Sequence, residues 1–278
     1  VKPLADTDRD GLVVVDYYDI VGPVMQKLWD DNFHFGYWDG PDDTGTVAAA
    51  TDRLTDLLIG RLAVPPGGRV LDLGCGIGKP ALRLARATGV DVLGITISHS
   101  QVAQANDRAR QEGLADRVTF QVADGTAMPF ADDTFDAVLA IESILHMDRD
   151  RALREISRVL RPGGRLVATD LVERATPERV TQPANATFTP LPLLARYPQL
   201  LAGNGLRPVE LLDLTANTVH VSMARMTSAP AEEQAAFAVA MEPAQQQAVA
   251  AANMPLTAAV DLGCVLVVAT PAPSGEPS

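Results

Sequence analysis

Between Arg69 and Leu82 the chain reads RVLDLGCGIGKPAL, the stretch whose residue types and spacing most plainly point to chemistry. An apolar run, Val70 to Leu73, enters three glycines at alternate positions, Gly74, Gly76 and Gly78, with Cys75 between the first two. Lys79-Pro80 then opens a helix. A strand that turns through glycines into a helix leaves backbone N–H groups facing outward, and glycine lets a ligand lie against that backbone. This is the form of a nucleotide-type cofactor site at the carboxyl end of a parallel sheet. Two common cofactors do not fit the details. The nicotinamide fingerprint G-x-G-x-x-G is followed about 20 residues on by an acid for the ribose. Here the third glycine falls one place early, and the next strand ends Gly94-Ile95-Thr96 without an acid. A phosphate-binding loop needs Ser or Thr after its lysine, whereas Lys79 is followed by Pro80.

The elements that must position this turn are legible from periodicity. Leu54, Leu57, Leu58 and Leu62 lie at helical spacing in 51–62, and Pro65-Pro66-Gly67-Gly68 ends that helix. Strands are predicted at 69–73, 90–96, 118–123, 135–142 and 165–172, and helices from 78, over 98–113 and over 148–160. Ser98 and Gln101 have the spacing of a capping box, and Arg161-Pro162-Gly163-Gly164 terminates the last of these helices. Alternation of strand with helix or loop predicts a doubly wound, Rossmann-like α/β sheet with helices on both faces. Beyond 172 the pattern changes. Residues 174–192 read as a loop or cap, 193–202 as a helix, 206–214 as a sixth strand, 217–252 as helical, and 260–269 as a seventh and last strand. The tail APSGEPS reads as disordered, and there is no internal repeat.

Ahead of the core, residues 1–10 are polar and expected to fray, and 11–28 read as two short helices broken at Gly22-Pro23. Trp29, Phe33, Phe35, Tyr37 and Trp38 then fall within ten positions of a chain that is 5% aromatic, as a lid packed on the core or as a wall over a ligand. The expected organisation is a single domain, 1–278: a helical lid over 1–46, a cofactor-binding core over 47–172, and acceptor cap segments with the last two strands over 173–278.

Composition bounds the partners. With 47% apolar residues the chain can bury a sizeable core, and its net charge of −12 argues against a nucleic-acid backbone or an anionic membrane. No run approaches 18 apolar residues, and VKPLADTDRD at the start lacks the apolar core of a signal peptide. The expectation is a cytoplasmic protein, monomer or homodimer, with a small-molecule partner. The two cysteines, Cys75 and Cys264, lack CxxC spacing and nearby histidines, so reduced thiols are expected and no metal site.

LDLGCGIGKP resembles the first motif of class I S-adenosylmethionine-dependent methyltransferases. VADGTAMPFADDTFDAVLAIESILHM resembles their adenine-binding loop and fourth strand, and LREISRVLRPGGRLVATD their following helix, proline-glycine turn and fifth strand. These ordered motifs span about residues 50–172. NFHFGYWD and GITISHSQVAQAN look like bacterial natural-product methyltransferases, among them sugar O-methyltransferases and polyketide-tailoring enzymes. The resemblance implies S-adenosylmethionine as cofactor and S-adenosylhomocysteine as product. It implies Asp72 near the methionine end, the cofactor against Gly74, Cys75, Gly76 and Gly78, and Thr96 and Gln101 at the ribose. Asp124 is implied at the adenine amino group, with Tyr37, Ile97, Gly125, Thr126 and Glu142 as further contacts. Met128 and Phe130 are candidates for flanking the adenine or for the core.

Methyl transfer from a sulfonium is an in-line displacement in which positioning carries much of the catalysis. An alcohol acceptor must also lose its proton, and histidine is the natural base at neutral pH. There are four, His34, His99, His146 and His220. His146 lies just past the fourth strand, His34 in the aromatic lid, and Asp170 at the end of the fifth strand; His99 reads as a helix-start residue and His220 as part of the cap. A His146–Asp170 arrangement is the candidate for proton removal, with His34 as another base. Sugar O-methyltransferases resembling this chain often carry two adjacent histidines here, and the first of those positions is Leu145. The reading is an O-methyltransferase acting on a hydroxyl of a polyketide, macrolide or glycoside. Its alternatives are a cyclase that keeps the cofactor without transferring methyl, and an N- or C-methyltransferase.

Overall fold

The computed structural model describes residues 14, 15, 17–19, 22, 31–175, 189–228 and 261–273. Most of the lid helices expected over 11–28, most of the cap at 174–192 and 217–252, Trp29 and both chain ends lie outside the described residues.

Seven strands form one sheet in the order β3-β2-β1-β4-β5-β7-β6. They are β1 (Arg69–Leu73), β2 (Asp91–Thr96), β3 (Val118–Val122), β4 (Phe135–Ile141), β5 (Leu160–Glu173), β6 (Leu206–Asp213) and β7 (Leu262–Pro271). Pairing is parallel from β3 through β5, and β7 runs antiparallel between β5 and β6. The chain order reverses beside β1, so the glycine turn leaves the sheet at its topological switch point.

The helices are α1 (Val47–Leu62), α2 (Lys79–Thr88), α3 (His99–Gln111), α4 (Arg149–Val159), α5 (Tyr197–Ala202) and α6 (Val219–Ser228). Leu54, Leu58 and Leu62 of α1, Leu82 and Leu84 of α2, and Ala105 and Ala109 of α3 are buried in one cluster with Val70 and Val92 of the sheet. Leu153 and Ile156 of α4 and Tyr197 and Leu201 of α5 are buried in a second with Leu71, Leu73 and Val138. Each fully buried Leu or Ile contributes about 1.5–3 kcal/mol, so the two layers fix which end of the sheet stays open.

Several boundaries differ from those expected. Helix α1 starts at Val47, because the Thr46 side chain accepts a bond from Ala49 N–H and caps it there. The expected helix over 193–202 is a 3-10 turn, Leu194–Arg196, followed by the short α5, whose second residue is Pro198. β5 begins at Leu160, which pairs Phe135; the pairing then shifts so that Ala137 meets Arg165 and residues 161–164 bulge out. The last strand is displaced to Leu262–Pro271. Met128 is buried with Phe135, and the Phe130 ring meets Phe135 edge-on at 5.2 Å; this places both on the core side of their loop.

Candidate active site

The site is built at the carboxyl ends of β1, β2 and β4. Gly74 N–H and Cys75 N–H both donate to Ile95 C=O, at 2.9 and 3.0 Å, and Gly78 N–H to Cys75 C=O at 2.9 Å, so the turn is folded back on β2. The glycines serve different ends. A Cβ on Gly78 (φ 85°) would lie 2.5 Å from Phe120 Cζ, so glycine is needed for packing. One on Gly76 (φ 52°) would meet only Phe33, at 3.7 Å, so this glycine faces open space under the lid. Ser143, which the sequence reading missed, sits against Gly74 and donates to Leu73 C=O at 2.6 Å. Cys75 and Cys264 are buried free thiols, as expected.

Asp72 is buried, its Oδ2 has no hydrogen-bond partner, and burial pushes its carboxyl up to about 7. An orphaned carboxylate oxygen beside an open glycine suits a cationic or N–H-bearing group. Along β2's edge, Thr96 donates through its hydroxyl to Gln101 Oε1 at 2.7 Å. Only half of the expected capping box forms. Ser98 Oγ accepts from Gln101 N–H at 3.2 Å, but the Gln101 side chain reaches Thr96 instead of Ser98 N–H. That leaves a buried Thr–Gln pair where a nicotinamide enzyme has its ribose acid, with Ile97 half-buried beside it. Asp124 is exposed, and its Oδ1 accepts from Thr126 N–H and hydroxyl at 2.7 and 2.8 Å. Its turn thus uses one carboxylate oxygen. Gly125 is packed against Leu73 and Met147.

Residues 31–38 alternate between the two sides. Asn32, His34, Gly36 and Trp38 are buried, whereas Phe33, Phe35 and Tyr37 are half-buried. The aromatic segment therefore packs on the core, with Phe35 and Tyr37 at the edge of the cluster that holds α1 and α2. Trp38 is an anchor: its indole N–H donates to Ser222 of α6 at 3.3 Å, and Arg225 stacks 3.7 Å over its ring. Phe33 approaches Gly76, and Phe35 N–H donates to both carboxylate oxygens of Glu142 at 3.1 and 3.2 Å. Glu142 follows β4 with a left-handed φ of 46°, a rare conformation for this residue type, and burial pushes its carboxyl up to about 8.

The candidate bases are not assembled as expected. His34 is buried, with Nδ1 2.8 Å from Phe35 C=O and Nε2 3.4 Å from Thr55 Oγ1, and burial holds its pKa down to about 4. One ring nitrogen is thus engaged within the 31–38 segment and the other with Thr55 of α1. The His146–Asp170 pair does not form. Asp170 is fully buried and is held by Arg149, whose Nε lies 2.9 Å away, while Tyr197 hydroxyl donates to it at 3.1 Å. His146 closes the 3-10 turn Ile144–His146, half-buried, and its Nε2 lies 2.9 Å from the hydroxyl of Tyr18. Burial raises the Tyr18 phenol well above its ordinary value, so at neutral pH it keeps its proton. Tyr18 and Arg149 escaped the sequence reading, since nothing local to either marks a partner more than a hundred or some twenty residues away. His99 starts α3 and is exposed, and His220 is exposed on α6.

A methyltransferase-domain family model matches residues 71–168, the span that carries β1 to β5. Methyltransferase GfsG of Streptomyces halstedii is 45% identical over 74% of this chain and 76% of that protein. The chain belongs to the S-adenosylmethionine-dependent methyltransferases. The 27-O-demethylrifamycin SV methyltransferase of Amycolatopsis mediterranei is 42% identical over 72% of this chain and 76% of that protein. The [4+2]-cyclase SpnF superposes with a TM-score of 0.81 at 35% identity, covering 93% of this chain and 96% of that one. In this methyltransferase the orphaned Asp72 oxygen, the open face at Gly76 and the Thr96–Gln101 pair are a donor and acceptor set that fits the cofactor. Among its described residues no helix is long and apolar enough to cross a membrane, and no cluster of ligating side chains could hold a metal ion.

Proposed function

We propose that this methyltransferase O-methylates a hydroxyl of a small natural product of the polyketide, macrolide or glycoside kind, with His146 as the base. The observation that carries the reading is the placement of His146 past β4, with Nε2 2.9 Å from the protonated phenol of Tyr18. The bound cofactor supplies an activated methyl group. Asp72 accepts from its amino group, Gly76 lets it lie against the backbone, and Thr96 with Gln101 holds the ribose. Asp124 Oδ2 takes the adenine amino group. Tyr37, Cys75, Ile97, Gly125, Thr126 and Glu142 complete the enclosure. The acceptor hydroxyl takes the place of the Tyr18 hydroxyl at Nε2, and His146 removes its proton as the oxygen attacks. The kinship with a rifamycin O-methyltransferase supports an oxygen acceptor. Asp170 and His34, each held by other partners, are assigned structural roles.

The likeness to SpnF supports a second reading, cyclisation without methyl transfer. Incubation with methyl-labelled S-adenosylmethionine and a panel of polyketide, macrolactone and glycoside alcohols separates the two. Labelled methyl ether together with S-adenosylhomocysteine is expected. A cyclised product with no S-adenosylhomocysteine would overturn O-methylation. His146→Ala is expected to lower turnover far more than cofactor affinity, and undiminished turnover would remove His146 from the reaction.

A further inference from the structure

We infer that Arg149 is a positioning residue for methyl transfer, fixing the turn that carries His146 against the chain arriving on the acceptor side. The inference rests on the assignment of the base to His146. Arg149 is the first residue of α4, and its side chain is 7% exposed. Nε and Nη2 face Asp170 at 2.9 and 3.4 Å. Nη1 turns the other way and donates to Thr189 Oγ1 and, at 2.7 Å, to Pro190 C=O. Thr189 in turn donates its N–H at 2.9 Å and its hydroxyl at 3.0 Å to Leu145 C=O, the carbonyl next to His146. A single guanidinium thus joins the end of β5, the segment entering at 189, and the 3-10 turn of the base.

Stability alone does not account for this arrangement. A buried ion pair gains little over apolar residues of the same shape, because both charges lose their water. What the planar fork adds is direction: its donors point to two segments at once, which a lysine ammonium cannot reproduce. The bonds converge on Leu145 C=O, the carbonyl of the peptide that leads into His146. Asp170, with Arg149, Tyr197 hydroxyl and Leu171 N–H as donors, is the fixed point from which the guanidinium is aimed.

The test does not require the acceptor. The full chain is labelled with 15N at histidine, and the His146 ring signals are assigned by their loss in His146→Gln. Arg149→Lys and Thr189→Val are then compared with the parent. The His146 signals are expected to shift or split and its titration midpoint to move by about half a pH unit, while exposed His99 and His220 keep theirs. Affinity for S-adenosylmethionine, by calorimetry, is expected to stay within about twofold. With any acceptor that proves to be methylated, kcat should fall about tenfold at an unchanged KM for the cofactor. His146 signals coincident with the parent in both variants would overturn the inference. Should Arg149→Lys fail to fold, Thr189→Val decides, since it removes the hydroxyl that links the guanidinium to Leu145 C=O and leaves the ion pair and the Thr189 N–H bond in place. If His146 responds but no alcohol is methylated, the positioning stands and the O-methylation reading fails.

Discussion

Gly76 and Gly78 are two places apart in one motif and separable by experiment. Gly78→Ala drives a methyl group into Phe120 at a left-handed φ and should lower stability by about 2–4 kcal/mol in urea titration. Gly76→Ala has room on the protein side and should lose only about 1 kcal/mol, yet weaken S-adenosylmethionine at least about tenfold by calorimetry, because its methyl enters the cofactor's face. Asp72→Asn sharpens the same distinction. It removes a buried carboxylate that has one unpartnered oxygen, so the cofactor-free protein should melt higher at pH 8, while the cofactor binds more weakly. The turn was legible in the sequence because its glycines are spaced by local backbone geometry. Ser143, Tyr18 and Arg149 were not, because each acts through a neighbour that only the folded sheet brings near. The expected His146–Asp170 pair failed for the same reason. Adjacent strand ends put the two within plausible reach, but Arg149, opening the next helix, satisfies the buried carboxylate first.

The segment 31–46 packs beside the glycine turn, with Phe33 facing Gly76. It is held to α1 by Tyr37 N–H on Ala50 C=O, to α6 by Trp38, and to β4 by Glu142. Trp38→Ala deletes a side chain that is 1% exposed together with its bond to Ser222 and its stacking on Arg225. A loss of about 3–5 kcal/mol is expected, with faster amide hydrogen exchange across 31–46 than across β1. Composition alone does not distinguish a lid from a wall in this segment. Its period-2 burial puts Asn32, His34, Gly36 and Trp38 inward, with Phe35 and Tyr37 packed at the edge of the core, an alternation present in the order Asn32, Phe33, His34, Phe35 but with no neighbouring strand to give it a direction. Helix starts shifted for a like reason, since a threonine cap at Thr46 outweighs a stretch of alanines with no apolar stripe.

Across the whole molecule, buried ionisable groups set opposing slopes of stability with pH. Asp72 and Glu142, pushed up to about 7 and 8, keep protons in the folded state that the unfolded chain has already lost, so stability falls as pH rises toward those values. His34, held down to about 4, works the other way: the unfolded chain takes up a proton first as pH drops below 6.5, and stability is lost on that side. The lowered carboxyls of Asp136 and Glu155 add to the acid limb. Because the two raised carboxyls outweigh the one histidine between about pH 4.5 and 6.5, urea midpoints should peak near about pH 4.5 and decline through neutral toward pH 8, and the decline should flatten in Asp72→Asn with Glu142→Gln. The sheet order has a consequence for synthesis. β7 is the latest of the described strands in the chain yet lies inside the sheet, between β5 and β6. On the ribosome, β1 to β5 can pair as they emerge, whereas β6 has no partner until Leu262–Pro271 is made. The half that carries the glycine turn is thus free to form early, and the half that carries β6 stays an open edge until β7 is threaded between its neighbours.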